Sequence, residues 1–159
     1  RSPGGLMNTE QLLRAILPCS GKYFLALPYK ASKGYKHLAY QDIGAMAEKA
    51  VAVSSRGANV FFACSSFETP EYQAIDKDGN TKTKYRTGEN ALYAKAQWLD
   101  LDGDQKENLV QLTEFCKATG LPRPNLIVNS GNGIHAYWLF DQDIPKKLWL
   151  IGANTLNAT

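Results

Sequence analysis

The sequence predicts an α/β (α+β) fold that ends in a split βαβ unit, because strand and helix patterns alternate in the second half of the chain. These segments follow in the order strand, helix, strand, strand, helix: 96–102, 105–119, 125–129, 134–140 and a final helix that Pro145 opens. Gly120 marks the end of the first of these helices. A split βαβ unit has this order of elements but expects one more strand. We therefore expect the domain to be truncated before its last strand.

The first half of the chain carries shorter signals of both element types. Apolar residues at helical spacing predict two helices, one near 8–17 with Asn8 or Thr9 as its cap, and one from Asp42 to about Val53. Strands are predicted at 23–27, before Pro28, and at 59–64 as a buried strand, with a tight turn at 76–80. The expected organisation is an N-terminal α/β part at 7–90 and an RNA-recognition-motif-like part at 91–159.

Size and composition favour one cytoplasmic domain. The chain has 159 residues, of which 44% are hydrophobic and 21% charged. It has no eighteen-residue apolar run, and its start lacks the apolar segment of a signal peptide, so no membrane partner is expected. Residues 1–6 resemble a remnant of cloning, with Met7 as the native start. The three cysteines are far apart and show no metal-binding spacing, which favours free thiols in a reducing compartment.

A cluster of basic residues surrounds the turn at 76–80. The cluster consists of Lys77, Lys82, Lys84 and Arg86, in a chain whose net charge is +3. A run of this kind is commonly a solvated loop, but it also suits the backbone of a nucleic-acid template.

The first motif with chemical meaning is the acidic pair Asp100 and Asp102, which follows an apolar strand. Alternate residues of a strand share a face, so both carboxylates point the same way. Two such carboxylates repel each other unless a cation lies between them, and Mg²⁺ or Mn²⁺ prefers carboxylate oxygen. The alternative is a pair of acids that caps the following helix. A calcium loop is not expected, because Gln105 and Gln111 stand where such a loop needs Gly and Glu.

The second motif is the glycine-containing turn Ser130-Gly131-Asn132-Gly133, which is followed by His135. Glycines let a backbone approach a ligand closely, and the amides of such a turn can surround an anion. The hydroxyl and the imidazole can both contact phosphate oxygens. The alternative is an ordinary hairpin with a structural histidine. The turn does not match a P-loop, which needs Gly-Lys followed by Ser or Thr.

Together, the two motifs resemble those of the archaeo-eukaryotic primase superfamily, especially the primase-polymerases of plasmids and phages. The resemblance is clearest over 96–140 and extends to about Asn59. It implies that Asp100 and Asp102 bind catalytic Mg²⁺ or Mn²⁺, and that residues 130–133 and His135 hold the triphosphate of an incoming NTP or dNTP. Arg86 is a further candidate for nucleotide or template contact. The family's third carboxylate has no counterpart here, so we expect this polypeptide to have little or no polymerase activity by itself.

The resemblance implies a template-dependent nucleotidyltransferase, a DNA primase and DNA polymerase of a replication protein. The implied partners are a single-stranded DNA template and a helicase domain or protein. The first alternative is a non-catalytic module that binds single-stranded nucleic acid, with Trp98 and Tyr137 stacking bases on a sheet face. A rolling-circle nickase is less compatible, since it needs paired metal-binding histidines and the chain has only His37 and His135.

Overall fold

The computed structural model describes residues 7–157, with side chains described through Thr155. The expected cloning remnant at 1–6 lies outside the described residues. Within them the fold is mixed α+β, with four helices and nine strands in antiparallel sheets. The helices are α1 (Thr9–Ile16), α2 (Ile43–Ser54), α3 (Gln105–Thr119) and α4 (Lys146–Asn157). The strands are β1 (Tyr23–Pro28), β2 (Tyr35–Tyr40), β3 (Phe61–Phe62), β4 (Ser65–Phe67), β5 (Tyr72–Ile75), β6 (Thr81–Lys84), β7 (Ala91–Asp102), β8 (Leu126–Asn129) and β9 (Gly133–Pro145).

The chain divides into two compact units, one through Ala94 and the other from Lys95. The boundary falls inside β7. The residues of this strand up to Ala94 belong to the first unit, where they pair with β4. Its remaining residues belong to the second unit, which also contains β8, β9, α3 and α4.

In the first unit, α1 and α2 pack against one face of the sheet β2-β1-β3. Both helices begin at side-chain caps: Asn8 accepts from the Gln11 amide, and Asp42 accepts from the Ala45 amide at 2.7 Å. The cap at Asp42 agrees with the sequence prediction. For α1 the sequence offered Asn8 or Thr9, and Asn8 is the residue that caps the helix. The core on this face contains Leu25 and Met46, which are 1% and 0% exposed.

Two features of this unit differ from the sequence prediction. The buried strand expected at 59–64 is wrong: only Phe61–Phe62 forms a strand, and Phe61 is 48% exposed. The short pairing of Ala26 with Phe61 shows why, since β3 lies at an edge of the sheet. The strand β2 was not predicted at all, because Lys36 and His37 interrupt its apolar pattern.

The turn at 76–80 joins the hairpin β5-β6, as its Asp-Gly pair predicts. Asp76 organises this turn by accepting from the amides of Asp78 and Asn80, each at 2.9 Å. Its other oxygen lies 2.7 Å from the ammonium group of Lys82. The Lys82 contact, followed by the Asn80 amide, lowers the pKa of the Asp76 carboxyl. One basic residue of the predicted cluster is therefore already neutralised.

In the second unit, β9 lies between β7 and β8, and α3 links those two outer strands. This is the strand order of a split βαβ unit. The predicted helix at 105–119 is confirmed, with Asp104 as its N-cap and Gly120 as its left-handed C-cap. The last predicted strand was too short: β9 continues through Pro145, so that the proline ends a strand rather than opening α4.

The backbones of β7 and β9 meet at Gly133. A Cβ atom at this position would lie 2.0 Å from the Leu101 carbonyl oxygen and 2.9 Å from the Asp102 Cα. A real Cβ cannot occupy that space without moving one of the two strands. The Gly103 amide also donates to the Asn132 carbonyl at 2.8 Å, which ties the end of β7 to the turn before β9.

We expect Gly133→Ala to lower the free energy of unfolding by about 3 kcal/mol or more, because the added methyl meets backbone that cannot rotate away. Urea unfolding followed by circular dichroism measures this change. Gly88→Ala is the control, since its Cβ would meet nothing within 4 Å. It should change the free energy by no more than about 0.5 kcal/mol. Equal effects of the two substitutions would show that the close approach at Gly133 is not tight in solution.

Candidate functional site

The acidic pair lies at the end of β7, on the sheet face that α3 does not cover. Leu99 and Leu101 pack against the core formed with α3, whereas Asp100 and Asp102 are both exposed. The two carboxylates therefore share a face, as their spacing predicts. Neither carboxylate is buried among apolar side chains.

A third acid, Asp104, performs the helix capping that was the alternative role for the pair. Its carboxylate accepts from the amides of Lys106 and Glu107, at 2.9 and 3.0 Å. The Asn108 side chain, which is 4% exposed, donates to the Leu101 carbonyl at 2.9 Å. The start of α3 thus fixes the end of β7 without using either Asp100 or Asp102.

His135 on β9 brings the second motif into contact with the first. Its Nε2 atom lies 3.2 Å from an Oδ atom of Asp100 on the neighbouring strand. The His135 side chain is 36% exposed and the Asp100 side chain 62% exposed, so both groups are accessible to a ligand. Residues 35 positions apart in the sequence are therefore joined in one site.

The turn before β9 is organised by hydrogen bonds of its own. The Gly131 amide donates to the Asn129 side chain at 2.8 Å, and the Ser130 amide donates to the Gly133 carbonyl at 3.1 Å. Gly131 has a φ of +87°, which explains a glycine there. Its amide is engaged within the turn, and the role of Gly133 is the close approach to β7. The glycine pattern thus has a structural cause, while the Ser130 side chain and Asn132 are exposed.

Arg86, the remaining predicted site residue, belongs to the first unit and has a different environment. Its Nε donates to Nδ1 of His37 at 3.3 Å, and its guanidinium carbon lies 5.6 Å from the centre of the Tyr35 ring. The His37 ring in turn stacks on Tyr85 at 5.0 Å. No local sequence pattern predicts these contacts, because Arg86 and His37 are 49 positions apart.

The aromatic side chains of the alternative, base-stacking module are largely occupied. Tyr137 is only 3% exposed. Trp98 stacks on Trp149 of α4, with ring centres 5.0 Å apart and planes at 26°. The indole of Trp149 also donates to the Ala96 carbonyl at 2.7 Å, a contact that fixes the helix to β7. Neither predicted ring presents an open face for a base in this arrangement.

The donor set at the end of β7 fits a hard divalent cation. Asp100 and Asp102 offer exposed carboxylate oxygens on one face, and Mg²⁺ keeps several waters when only one or two carboxylates hold it. Among residues 7–157, no three His, Cys, Asp or Glu side chains are grouped closely enough to hold a metal ion by themselves. A cation here would take its other ligands from water or from phosphate oxygens.

We compared the chain with protein-family models, curated proteins and solved structures, and found no match in any of the three. Among the described helices, none is long and apolar enough to cross a membrane. The function therefore has to be inferred from the side chains themselves.

We expect His37 to titrate below its ordinary pKa of 6.5, because burial, and then the nearby Arg86 guanidinium, disfavour the imidazolium. The unfolded chain then binds this proton more readily than the folded one. The His37 contribution to stability is thus constant above about pH 6.5 and becomes unfavourable as the pH falls below it. NMR titration of the imidazole signals measures the midpoint.

Arg86→Gln should raise the pKa of His37 without restoring its ordinary value, since burial is the larger cause. Arg56→Gln is the matched control, because Arg56 is an exposed arginine just after α2. A wild-type midpoint at or above 6.5 would contradict the packing seen around His37.

Proposed function

We propose that this chain is the part of a primase-polymerase that binds the catalytic metal and the incoming nucleotide, in a protein that adds NTP or dNTP to a template-directed strand. The observation that carries the proposal is the 3.2 Å contact between His135 and Asp100. It brings the acidic pair and the Ser-Gly-Asn-Gly-x-His turn together on one open sheet face. The glycine turn alone has an ordinary structural explanation, and its convergence with the acidic pair is what favours a shared ligand.

The chemistry required is the attack of a strand's 3′-hydroxyl on the α-phosphate, with release of pyrophosphate. A Mg²⁺ or Mn²⁺ ion held by Asp100 and Asp102 would neutralise charge on the phosphates. The exposed Ser130 hydroxyl can donate to a phosphate oxygen, and the imidazole of His135 can do the same from the adjacent strand. In this proposal the short turn positions the triphosphate and β7 supplies the carboxylates.

The close approach at Gly133 supports this division of roles. It holds the turn at 130–133 against the end of β7 through backbone contacts. The distance between the turn and the carboxylates is therefore set by the backbone. Positioning of this kind matters because small displacements of reacting groups cost large factors in rate.

We expect nucleotide binding to depend on both a divalent cation and His135. Labelled ATP and dATP are titrated into the wild-type chain, Asp100→Asn and His135→Ala, with Mg²⁺, with Mn²⁺ and with EDTA. Each substitution should weaken binding about 10-fold or more in the presence of metal, since each removes a charge-assisted contact. In EDTA the wild-type affinity should fall to that of Asp100→Asn.

Glu114→Gln is the matched control, because this exposed acid lies on α3, which packs against the other face of the sheet. A primer-template extension assay should show little or no extension by the wild-type chain or by any variant, because the third carboxylate of the primase family has no counterpart in this sequence. Nucleotide affinities that are equal for all variants and unchanged by EDTA would remove the triphosphate from this site. Metal-independent binding of single-stranded DNA without nucleotide binding would favour the non-catalytic module instead.

A further inference from the structure

The second unit contains an open cavity of about 820 Å³ on the face of its sheet that α3 also covers. Gln97, Trp138 and Phe140 line the cavity from the sheet, and Trp138 also packs against the core under α3. In their strands these residues alternate with Asp100 and His135, whose side chains point to the opposite face. The cavity therefore lies on the other side of the sheet from the candidate site, and its volume is in the usual range for a small-molecule ligand.

The cavity follows α4 for about two turns. Leu148, Gly152 and Thr155 line it at spacings of four and three residues, so they share one side of the helix. The step from position 148 to position 155 extends roughly 10 Å along the helix. Further lining comes from the loop after α3, where Leu121 and Arg123 lie. The cavity is therefore elongated, which suits an extended ligand better than a compact one.

The walls of the cavity are mostly apolar, and polar groups among them already have partners. The Trp138 indole donates to the Pro122 carbonyl at 2.7 Å, and the Gln97 side chain donates to the Trp149 carbonyl at 3.1 Å. The Asn125 side chain accepts from a backbone amide of β9 at 2.8 Å. A peptide that needs backbone partners would find these groups occupied, whereas an alkyl chain gains from apolar contact alone.

Arg123 is the one charged residue that lines the cavity. Among residues 7–157, no carboxylate lies within salt-bridge distance of its guanidinium. Arg14, by contrast, is paired with Glu10 at 2.7 Å. The planar fork of donors on a guanidinium matches the two oxygens of a carboxylate. An unpaired arginine beside an elongated apolar cavity therefore favours a ligand with an acidic head and an apolar body.

We propose that this cavity binds an alkyl carboxylate, a medium-chain acid whose chain lies along α4 and whose carboxylate pairs with Arg123. The site shares no residue with the acidic pair or with the turn at 130–133, and it needs neither metal nor nucleotide. Binding of an alkyl acid therefore goes beyond the proposed nucleotidyl transfer. The further strand that a split βαβ unit expects would extend the sheet within its plane, and would leave a cavity on the face of the sheet open.

The test is quenching of tryptophan fluorescence by 10-bromodecanoate, since bromine quenches an indole on contact and two of the three tryptophans line the cavity. 6-Bromohexanoate has a shorter chain and should bind on the order of 100-fold more weakly, because it buries fewer methylene groups. The neutral 10-bromodecanol should bind about 10-fold more weakly than the acid, because it lacks the charge-assisted contact with Arg123.

Arg123→Gln should weaken binding of 10-bromodecanoate about 10-fold and leave binding of 10-bromodecanol unchanged. Lys117→Gln is the matched control, because Lys117 is an exposed cation of α3 that does not line the cavity. It should bind both compounds like the wild type. Asp100→Asn should also bind like the wild type, which separates this result from the outcome for nucleotidyl transfer.

Leu148→Asp should abolish binding of the acid, because it places a carboxylate on the apolar wall. Ile151→Asp is its control on the same helix, since Ile151 does not line the cavity. Leu148 is 61% exposed and Ile151 is 65% exposed, so neither substitution buries a charge. Circular dichroism and thermal unfolding establish that each variant is folded.

The competing occupants each have a distinct outcome. Equal affinity for 10-bromodecanoate and 10-bromodecanol would overturn the pairing with Arg123. 2-Naphthoate that displaces 10-bromodecanoate more effectively than decanoate does would overturn the alkyl chain in favour of a compact aromatic acid. A dimer of the ligand-free protein in sedimentation, dissociated by Leu148→Asp but not by Ile151→Asp, would assign the cavity to a second copy of the chain. Full affinity in both Arg123→Gln and Leu148→Asp would remove the acid from the cavity.

Discussion

The contact on which the candidate site depends is the approach of the β9 backbone to the end of β7, where only a glycine fits. At Gly133 the added Cβ would lie 2.0 Å from the Leu101 carbonyl oxygen. This approach places the turn at 130–133 directly beside Asp102 and, two residues later, sets His135 against Asp100. Any side chain larger than that of glycine at this position would push β7 and β9 apart. His135 would then lose its contact with Asp100, although neither residue had been changed. The glycine therefore acts on the site through geometry alone.

The two aspartates remain available because other groups satisfy the local backbone. A helix start leaves amides without partners, and a nearby carboxylate ordinarily serves them. Here Asp104 serves that need, and Asn108 holds the Leu101 carbonyl. Asp100 and Asp102 are left as exposed charges on one face, an arrangement that contributes nothing to packing. Exposed carboxylates that serve neither packing nor helix capping are best explained by a bound ligand.

Much of the second unit could be predicted from its sequence, because its signals are local. The α3 boundaries follow from a cap and a terminal glycine, and the shared face of Asp100 and Asp102 follows from strand alternation. The contact of His135 with Asp100 required the strand order, which no local pattern encodes. In the first unit, polar interruptions concealed β2, and the apolar run at 59–64 suggested burial where Phe61 lies at an edge. The contacts of Arg86 with His37 and Tyr35 depend on the pairing of β1 with β2 and on the course of the chain after β6. Local sequence patterns therefore do not predict them.

The stacked indoles of Trp98 and Trp149 have a practical consequence for anyone handling this protein. Their rings lie 5.0 Å apart and nearly parallel, and the Trp149 N–H is bound to the Ala96 carbonyl. Two transition dipoles held at such a separation couple, and the coupling produces a paired band in the circular dichroism spectrum that neither ring gives alone. The chain has only three tryptophans, so this signal is not hidden by many others. Release of α4 from β7 is therefore visible as an optical event distinct from unfolding of the rest of the unit.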